Sequence, residues 1–358
     1  MPALADSKST SSLQATLDRL TSPAQLVEPL ENDKVRCLAC GHRCRIPEGR
    51  RGICKVRFNH QGILRAPSGY VAGLQNDPIE KKPFYHFLAG TNALTFGMLG
   101  CCFHCPFCQN WLSSQALRDT RAGVLPDKIS AEQVVATARN AGSSAIVSSY
   151  NEPLITAEWA VEIFKLARKE GFKTAFVSNG NATPEVLDYL HPWIDGFKVD
   201  LKSMRDRIYR KLGGVLQNVL DTIQRAREMG LWVEVVTLVV PGLNESEDEL
   251  RSIAEFIVNV SPDIPWHVTA FHRDYNYTSV QSTSGSQLRR AWELGRQAGL
   301  NYVYGGNLPG EMPDMENTLC PGCDTPLIRR VGYYILDNRL SDSGTCPDCG
   351  TKIPGVWD

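Results

Sequence analysis

Twelve cysteines in three tight groups are the residues of this chain best suited to chemistry. The central group stands in the run Gly100-Cys101-Cys102-Phe103-His104-Cys105-Pro106-Phe107-Cys108. Cys101, Cys105 and Cys108 are spaced C-x3-C-x2-C on a loop after an apolar run, so each thiolate can reach one iron of a [4Fe–4S] cube. The fourth iron is then left without a protein ligand. Such an iron can chelate the amine and carboxylate of S-adenosylmethionine (SAM) and pass one electron to its sulfonium, yielding a 5′-deoxyadenosyl radical. Phe107, just before the last cysteine, is placed to pack against adenine. Read on its own, the spacing also suits a structural zinc knuckle, or thiols that merely pack. Cys102 is the spare thiol: a fourth ligand would close the open iron, which points to a packed neighbour.

Two further groups flank it. Cys320-Pro-Gly-Cys323 and Cys346-Pro-Asp-Cys349 form two C-x2-C knuckles with 22 residues between them. Four thiolates on two turns suit tetrahedral Zn2+ at ~2.3 Å per bond, with a rubredoxin-like single iron as the competing metal. So short a segment cannot bury a useful core, so the metal would fold it. Four closed thiolates leave no catalytic position, which makes the ribbon structural or partner-binding. The first group, Cys37-x2-Cys40-x3-Cys44-x9-Cys54, is less regular. It could take zinc, with His42 as a substitute ligand, or a second iron–sulfur cluster that relays electrons; spacing leaves both open, along with packing without metal.

The elements that must position these groups are legible as periodicity. Residues 1–33 read as a polar N-terminal segment, 34–90 as a cysteine-rich lobe, 91–310 as the core domain and 311–358 as a zinc-ribbon-like module. Inside the core, apolar runs at 93–99, 145–150, 174–178, 196–200, 232–240, 266–271 and 302–305 read as buried strands. Amphipathic helical stretches separate most of them, which implies parallel pairing through crossover helices. The predicted fold class is α/β: a partial parallel (β/α) barrel of six or seven units with cysteine-rich metal-binding appendages at both ends. A doubly wound open sheet is the competing arrangement. Polar residues follow the carboxyl ends of successive strands: Asn151 and Glu152, Ser178 and Asn179, Asp200 and Lys202, Asn244, His272 and Asn307. Parallel α/β folds build their sites from those ends, so residues remote in sequence should meet at one mouth.

In order along the chain, DPIEKKPFYHFLAGT (77–91), CPFCQNW (105–111), SYNEPLI (149–155), FKVDLKS (197–203), TLVVPGLNE (237–245), IPWHVTAFHRDY (264–275) and VYGGNLPG (303–310) resemble the radical SAM superfamily. The likeness is to the pyruvate formate-lyase-activating enzymes and, closer still, to the AmmeMemoRadiSam system radical SAM protein; it covers nearly everything after residue 34. It implies a radical SAM barrel. It also implies that Tyr150-Asn151-Glu152-Pro153 stands where relatives have a Gly-Gly-Glu-Pro turn holding the SAM amine. Asn179 resembles a contact to ribose or methionine, Asp200 and Lys202 an Asp-x-Lys pair beside SAM, and His272 a histidine near the nucleoside. Cys102 departs from the asparagine common after the first cluster cysteine, which would alter hydrogen bonding to the sulfurs. The resemblance further implies an electron donor of the flavodoxin or ferredoxin kind, a polypeptide glycine as one target of hydrogen abstraction, and Memo- and AMMECR-type partners.

Composition narrows the classes. At 358 residues, 42% hydrophobic and 22% charged, the chain is globular in type, and no apolar run approaches bilayer length. The first twenty residues hold no apolar leader, so a cytoplasmic enzyme with no membrane contact is expected. Cysteines in that compartment are metal ligands more often than disulfides. A formal net charge of −1 gives no broad basic field, which weighs against an RNA-modifying enzyme. An iron–sulfur electron carrier would need no ordered set of strand-end polar residues.

Overall fold

Runs of β-branched and aromatic residues form strands here because both faces of the sheet they enter are covered. A computed structural model describes residues 6–341 and 343–358; of the expected N-terminal segment, residues 1–5 lie outside the described residues. The central sheet has eight strands: β1 (Gly73–Pro78), β2 (Asn92–Gly97), β3 (Ala145–Ser148), β4 (Lys173–Ser178), β5 (Gly196–Asp200), β6 (Trp232–Val239), β7 (Trp266–Ala270) and β8 (Val303–Gly306). Their order in space is their order in sequence, from β1 at one edge to β8 at the other. Strands β2 to β8 pair in parallel, with registers such as Ala93 beside Ala145 and Val235 beside Trp266. All seven runs read from periodicity are strands, and the sheet is parallel α/β with sequential strand order, as a partial barrel requires and a doubly wound sheet does not.

The eighth strand was not legible. β1 reads Gly-Leu-Gln-Asn-Asp-Pro, with no apolar run, and pairs antiparallel with β2 at the sheet edge. An edge strand held through its backbone needs no apolar face.

Crossover helices cover the outside: α1 (Ala131–Asn140), α2 (Ala157–Lys169), α3 (Pro184–Leu190), α4 (Asp206–Leu212), α5 (Leu216–Glu228), α6 (Glu247–Val260) and α7 (Gly285–Ala298). Ser130 and Ser284 open α1 and α7 with reciprocal capping boxes to Gln133 and Gln287. Each helix turns an apolar stripe inward; in α2 it includes Trp159, Ile163 and Phe164.

Both appendages are bolted to this core by buried charge. In the N-terminal lobe, Arg57 reaches α2, its Nη1 and Nη2 donating to the Glu158 carboxylate at 2.7 Å each. At the other end, β9 (Thr318–Leu319), β10 (Pro326–Val331) and β11 (Tyr334–Asn338) form a small antiparallel sheet. Arg330 of β10 is fully buried, donating to the Tyr85 carbonyl at 2.9 Å and to Thr318 Oγ1 at 2.8 Å. His86 ties the last residues down, one ring nitrogen 2.7 Å from the Pro354 carbonyl and the other 2.6 Å from the Tyr304 hydroxyl. Among the described residues, no helix is long and apolar enough to cross a membrane.

Candidate functional site

The cysteine loop leaves β2 at a point where only glycine fits. Gly100 adopts φ +95°, and a Cβ on it would lie 2.9 Å from Val56 and 3.2 Å from the Cys54 carbonyl. The loop is then fixed by backbone partners: Gly100 N–H donates to Ser113 O at 3.0 Å and His104 N–H to Leu212 O at 2.9 Å. Gln115 and Arg118 both donate to the Phe103 carbonyl. Two contacts reach the sulfurs themselves. The Phe103 N–H donates to Cys101 Sγ at 3.3 Å, and Ser114 Oγ lies 3.2 Å from Cys108 Sγ.

Cys101, Cys105 and Cys108 open onto one cavity of about 410 Å3 at the carboxyl ends of the strands. Burial pushes the Cys105 thiol up to about 12 and that of Cys108 to about 11. As bare thiols they stay protonated at neutral pH; a cationic partner is what makes them thiolates there. No three of the loop's donors lie within 4.8 Å of one another among the described residues, so they stand wider than the shell of a single ion. Three thiols facing a shared cavity are an arrangement that a polynuclear cluster with one open iron could use.

The same cavity is lined by Phe107, Asn151, Glu152, Asn179, Asp200 and Lys202. Glu152 is the hub. Its Oε1 accepts from Ser178 Oγ at 2.7 Å and from Leu154 N–H at 3.1 Å, and its Oε2 from Asn179 N–H at 2.8 Å. Burial outweighs these donors and raises its carboxyl to about 7. Asn151 closes the turn, its Oδ1 accepting from Met98 N–H at 3.0 Å. Asn179 directs its amide at Cys102 Sγ, 3.3 Å away, and at Cys101 Sγ, 3.9 Å away. Cys102 itself is fully buried. Burial would raise Asp200, but the ammonium groups of Lys198 and Lys202 outweigh it and hold the carboxyl well below its usual range. Lys202 Nζ stands 2.9 Å from Asp200 Oδ2, and Lys198 contacts Oδ1.

Two strand-end residues sit elsewhere. His272 is exposed on the rim, its Nε2 3.0 Å from Gln109 Nε2, and is not part of the cavity lining. Asn244 is occupied by backbone, bonding Val240 N–H, Lys202 O and Leu238 O, and so closes a turn. Asn307 does reach the lining.

Sequence reasoning missed two contributors, Lys198 and Lys82, and the backbone conformation of Tyr150. Lys198 carries a charge into a buried strand two residues before Asp200, and strand alternation places both on one face; a lysine inside an apolar run was the available signal. Lys82 lies under Tyr150, with Nζ 3.0 Å from its hydroxyl, and pairs with Asp77 at 3.0 Å. Tyr150 itself holds φ +69° where the related turn has glycine. Its close approach is accommodated by Gly97, where a Cβ would meet the Ser149 carbonyl and Tyr150 at 2.9 Å.

The outer cysteine groups differ in geometry. Cys320, Cys323, Cys346 and Cys349 bring all four sulfurs within 4.8 Å of one another, a set ready for one metal ion. In the N-terminal lobe Cys37, Cys40 and Cys54 are buried and Cys44 half-buried. His42, weighed as a substitute ligand, instead turns Nε2 to the Cys102 carbonyl at 3.2 Å.

The family model described as the radical SAM superfamily matches residues 96–257. An uncharacterized protein of Methanocaldococcus jannaschii is 35% identical over 336 residues, covering 92% of this chain and 98% of its own length. The pyruvate formate-lyase 1-activating enzyme of Escherichia coli is 28% identical over 236 residues, 60% of this chain and 92% of that one. A radical SAM methyltransferase from Sphaerobacter thermophilus superposes with a TM-score of 0.48 at 15% identity, over 83% of this chain and 82% of that chain.

Proposed function

The chain belongs to the radical SAM superfamily, and from that premise we propose that it cleaves SAM reductively with Cys101, Cys105 and Cys108 as the cluster ligands. Membership implies a [4Fe–4S] cluster and SAM as cofactors. When bound, they supply a 5′-deoxyadenosyl radical that takes a hydrogen atom from a substrate carbon. The carrying observation is that these three thiols share one cavity with Glu152, Asn179, Asp200 and Lys202.

In this reading Glu152, fixed by three donors, receives the SAM amine through its carboxylate, with Asn151 holding the turn. Asn179 reaches the ribose or methionine side. Lys202, locked by Asp200, offers its ammonium to the SAM carboxylate, and Phe107 packs on adenine. His272 is a rim residue toward the nucleoside. The C-terminal tetrad holds structural zinc. A relative whose printed name is a pyruvate formate-lyase 1-activating enzyme supports an activase-like role, with a polypeptide glycine as the target. Such a role takes electrons from a flavodoxin or ferredoxin in the cytoplasm; Memo- and AMMECR-type proteins are the candidate partners.

The test is anaerobic reconstitution with iron and sulfide, then SAM and dithionite. Expected products are 5′-deoxyadenosine and methionine, both absent when Cys101, Cys105 and Cys108 are all replaced by alanine. A wild-type protein that holds its cluster and never cleaves SAM would be an electron carrier instead.

A further inference from the structure

Three sets of thiols in one chain allow an internal comparison of spacing. A single tetrahedral ion with bonds of ~2.3 Å needs its sulfurs about 3.8 Å apart. The C-terminal tetrad meets that condition, with every sulfur within 4.8 Å of the others. No three of the donors Cys37, Cys40, Cys44 and Cys54 do so among the described residues, and neither do those of the central loop. A cubane places each thiolate on a different iron, so its ligands stand farther apart than those around one ion.

We propose that Cys37, Cys40, Cys44 and Cys54 hold a second iron–sulfur cluster rather than a mononuclear zinc. A second observation comes from Arg57. Its side chain is 1% exposed, and both terminal nitrogens are taken by Glu158 and the Ile155 carbonyl. Its Nε is buried and finds no partner in the protein. A buried guanidinium with a spare N–H beside these thiols suits an anionic, sulfur-rich group, which any four-thiolate metal centre is; the sulfur spacing is what favours the cluster over a single ion. With His42 turned away to the Cys102 carbonyl, cysteine sulfur alone furnishes the shell.

The lobe that carries these thiols sits directly on the SAM-site loop. Gly41 N–H donates to the Asn181 carbonyl at 2.8 Å, and Val56 and the Cys54 carbonyl press on Gly100. The proposed centre is therefore a second one-electron store one residue layer from the first, held by four protein ligands and closed to substrate.

The experiment uses the full chain. A Cys101→Ala/Cys105→Ala/Cys108→Ala variant, reconstituted anaerobically, should retain about four irons and matching sulfide with one zinc, and give a reduced-cluster EPR signal. Adding Cys37→Ser and Cys54→Ser should remove that iron and signal and leave the zinc. If the triple variant does not fold, 57Fe Mössbauer spectra of the wild type decide: about eight irons per chain, half of them unperturbed by SAM, are expected. Two zincs and no iron in the triple variant, or only about four irons in the wild type, would overturn the proposal. That second outcome with SAM still cleaved leaves the proposed function standing, whereas about eight irons without cleavage does the reverse.

Discussion

Cys320, Cys323, Cys346 and Cys349 hold their sulfurs in one tight knot at the surface, with Cys323 and Cys349 exposed. Cys101, Cys105 and Cys108 lie spread around a cavity at the end of a sheet whose strands are buried on both faces. The first set is backed by a small buried cluster that includes Tyr304, Leu327, Ile328 and Ile353, and a metal bound there would add folding energy to that slight core. The second is held by backbone bonds to α4 and by the N-terminal lobe before any metal arrives. On the proposed function, what would separate a structural site from a reactive one here is how the thiols are held, closed around one ion or spread around a cavity. A closed tetrad would spend every position of an ion on protein, whereas three thiols around a cavity would leave one position to substrate.

The strongest way to break this contrast is to delete a thiol from each set. Cys105→Ala should remove about half of the iron-dependent visible absorbance, the N-terminal cluster keeping the rest, and reduce 5′-deoxyadenosine formation to background while zinc is retained. Cys346→Ala should do the opposite to the metals, keeping iron and losing zinc, as elemental analysis of both variants would show. A step smaller, Arg330→Met removes the buried cation that joins the knuckle module to Tyr85 and Thr318. It leaves Glu80 buried with Arg330, 3.9 Å away in the wild type, gone. Chemical denaturation should register a loss of roughly 3–5 kcal/mol.

Acid probes the same junction. Burial holds His86 down to about 4, against an ordinary value of 6.5. The folded state therefore binds fewer protons than the unfolded one between those limits. Stability is fully present above pH 6.5 and falls as pH drops toward 4, by up to about 3 kcal/mol. Melting curves of wild type and His86→Gln between pH 8 and 4 should converge at the acid end. Smaller still, Glu152→Gln should leave iron content unchanged and weaken SAM binding about tenfold, close to 1.4 kcal/mol, by equilibrium titration. The exposed pair of Arg339 and Asp348 sets the floor: Arg339→Ala should leave the denaturation midpoint indistinguishable from wild type.

The seven parallel strands were readable because each is an apolar run too short for a helix, bounded by turn residues. β1 was not, because an edge strand satisfied through its backbone leaves no trace in hydropathy. Most of the cavity lining was legible from polar residues just past strand ends. His272 and Asn244 met the same criterion and stand outside the lining, since a strand-end position does not fix where a side chain turns. Lys82 and Tyr150 escaped because their juxtaposition depends on a segment 68 residues away folding beneath the turn. Burial of Arg57 and Arg330 was also invisible: arginine in a turn-rich stretch reads as surface until its partner on another element is known.

Tyr333, at the tip between β10 and β11, belongs to the cavity wall. The same hairpin is rooted by Arg330 in the core and leads on to the knuckles. If a metal sits on the knuckles, stripping it would loosen part of the cavity wall from outside. On the proposed function, a chelator too large to enter the cavity would then lower SAM cleavage through the hairpin that carries Tyr333.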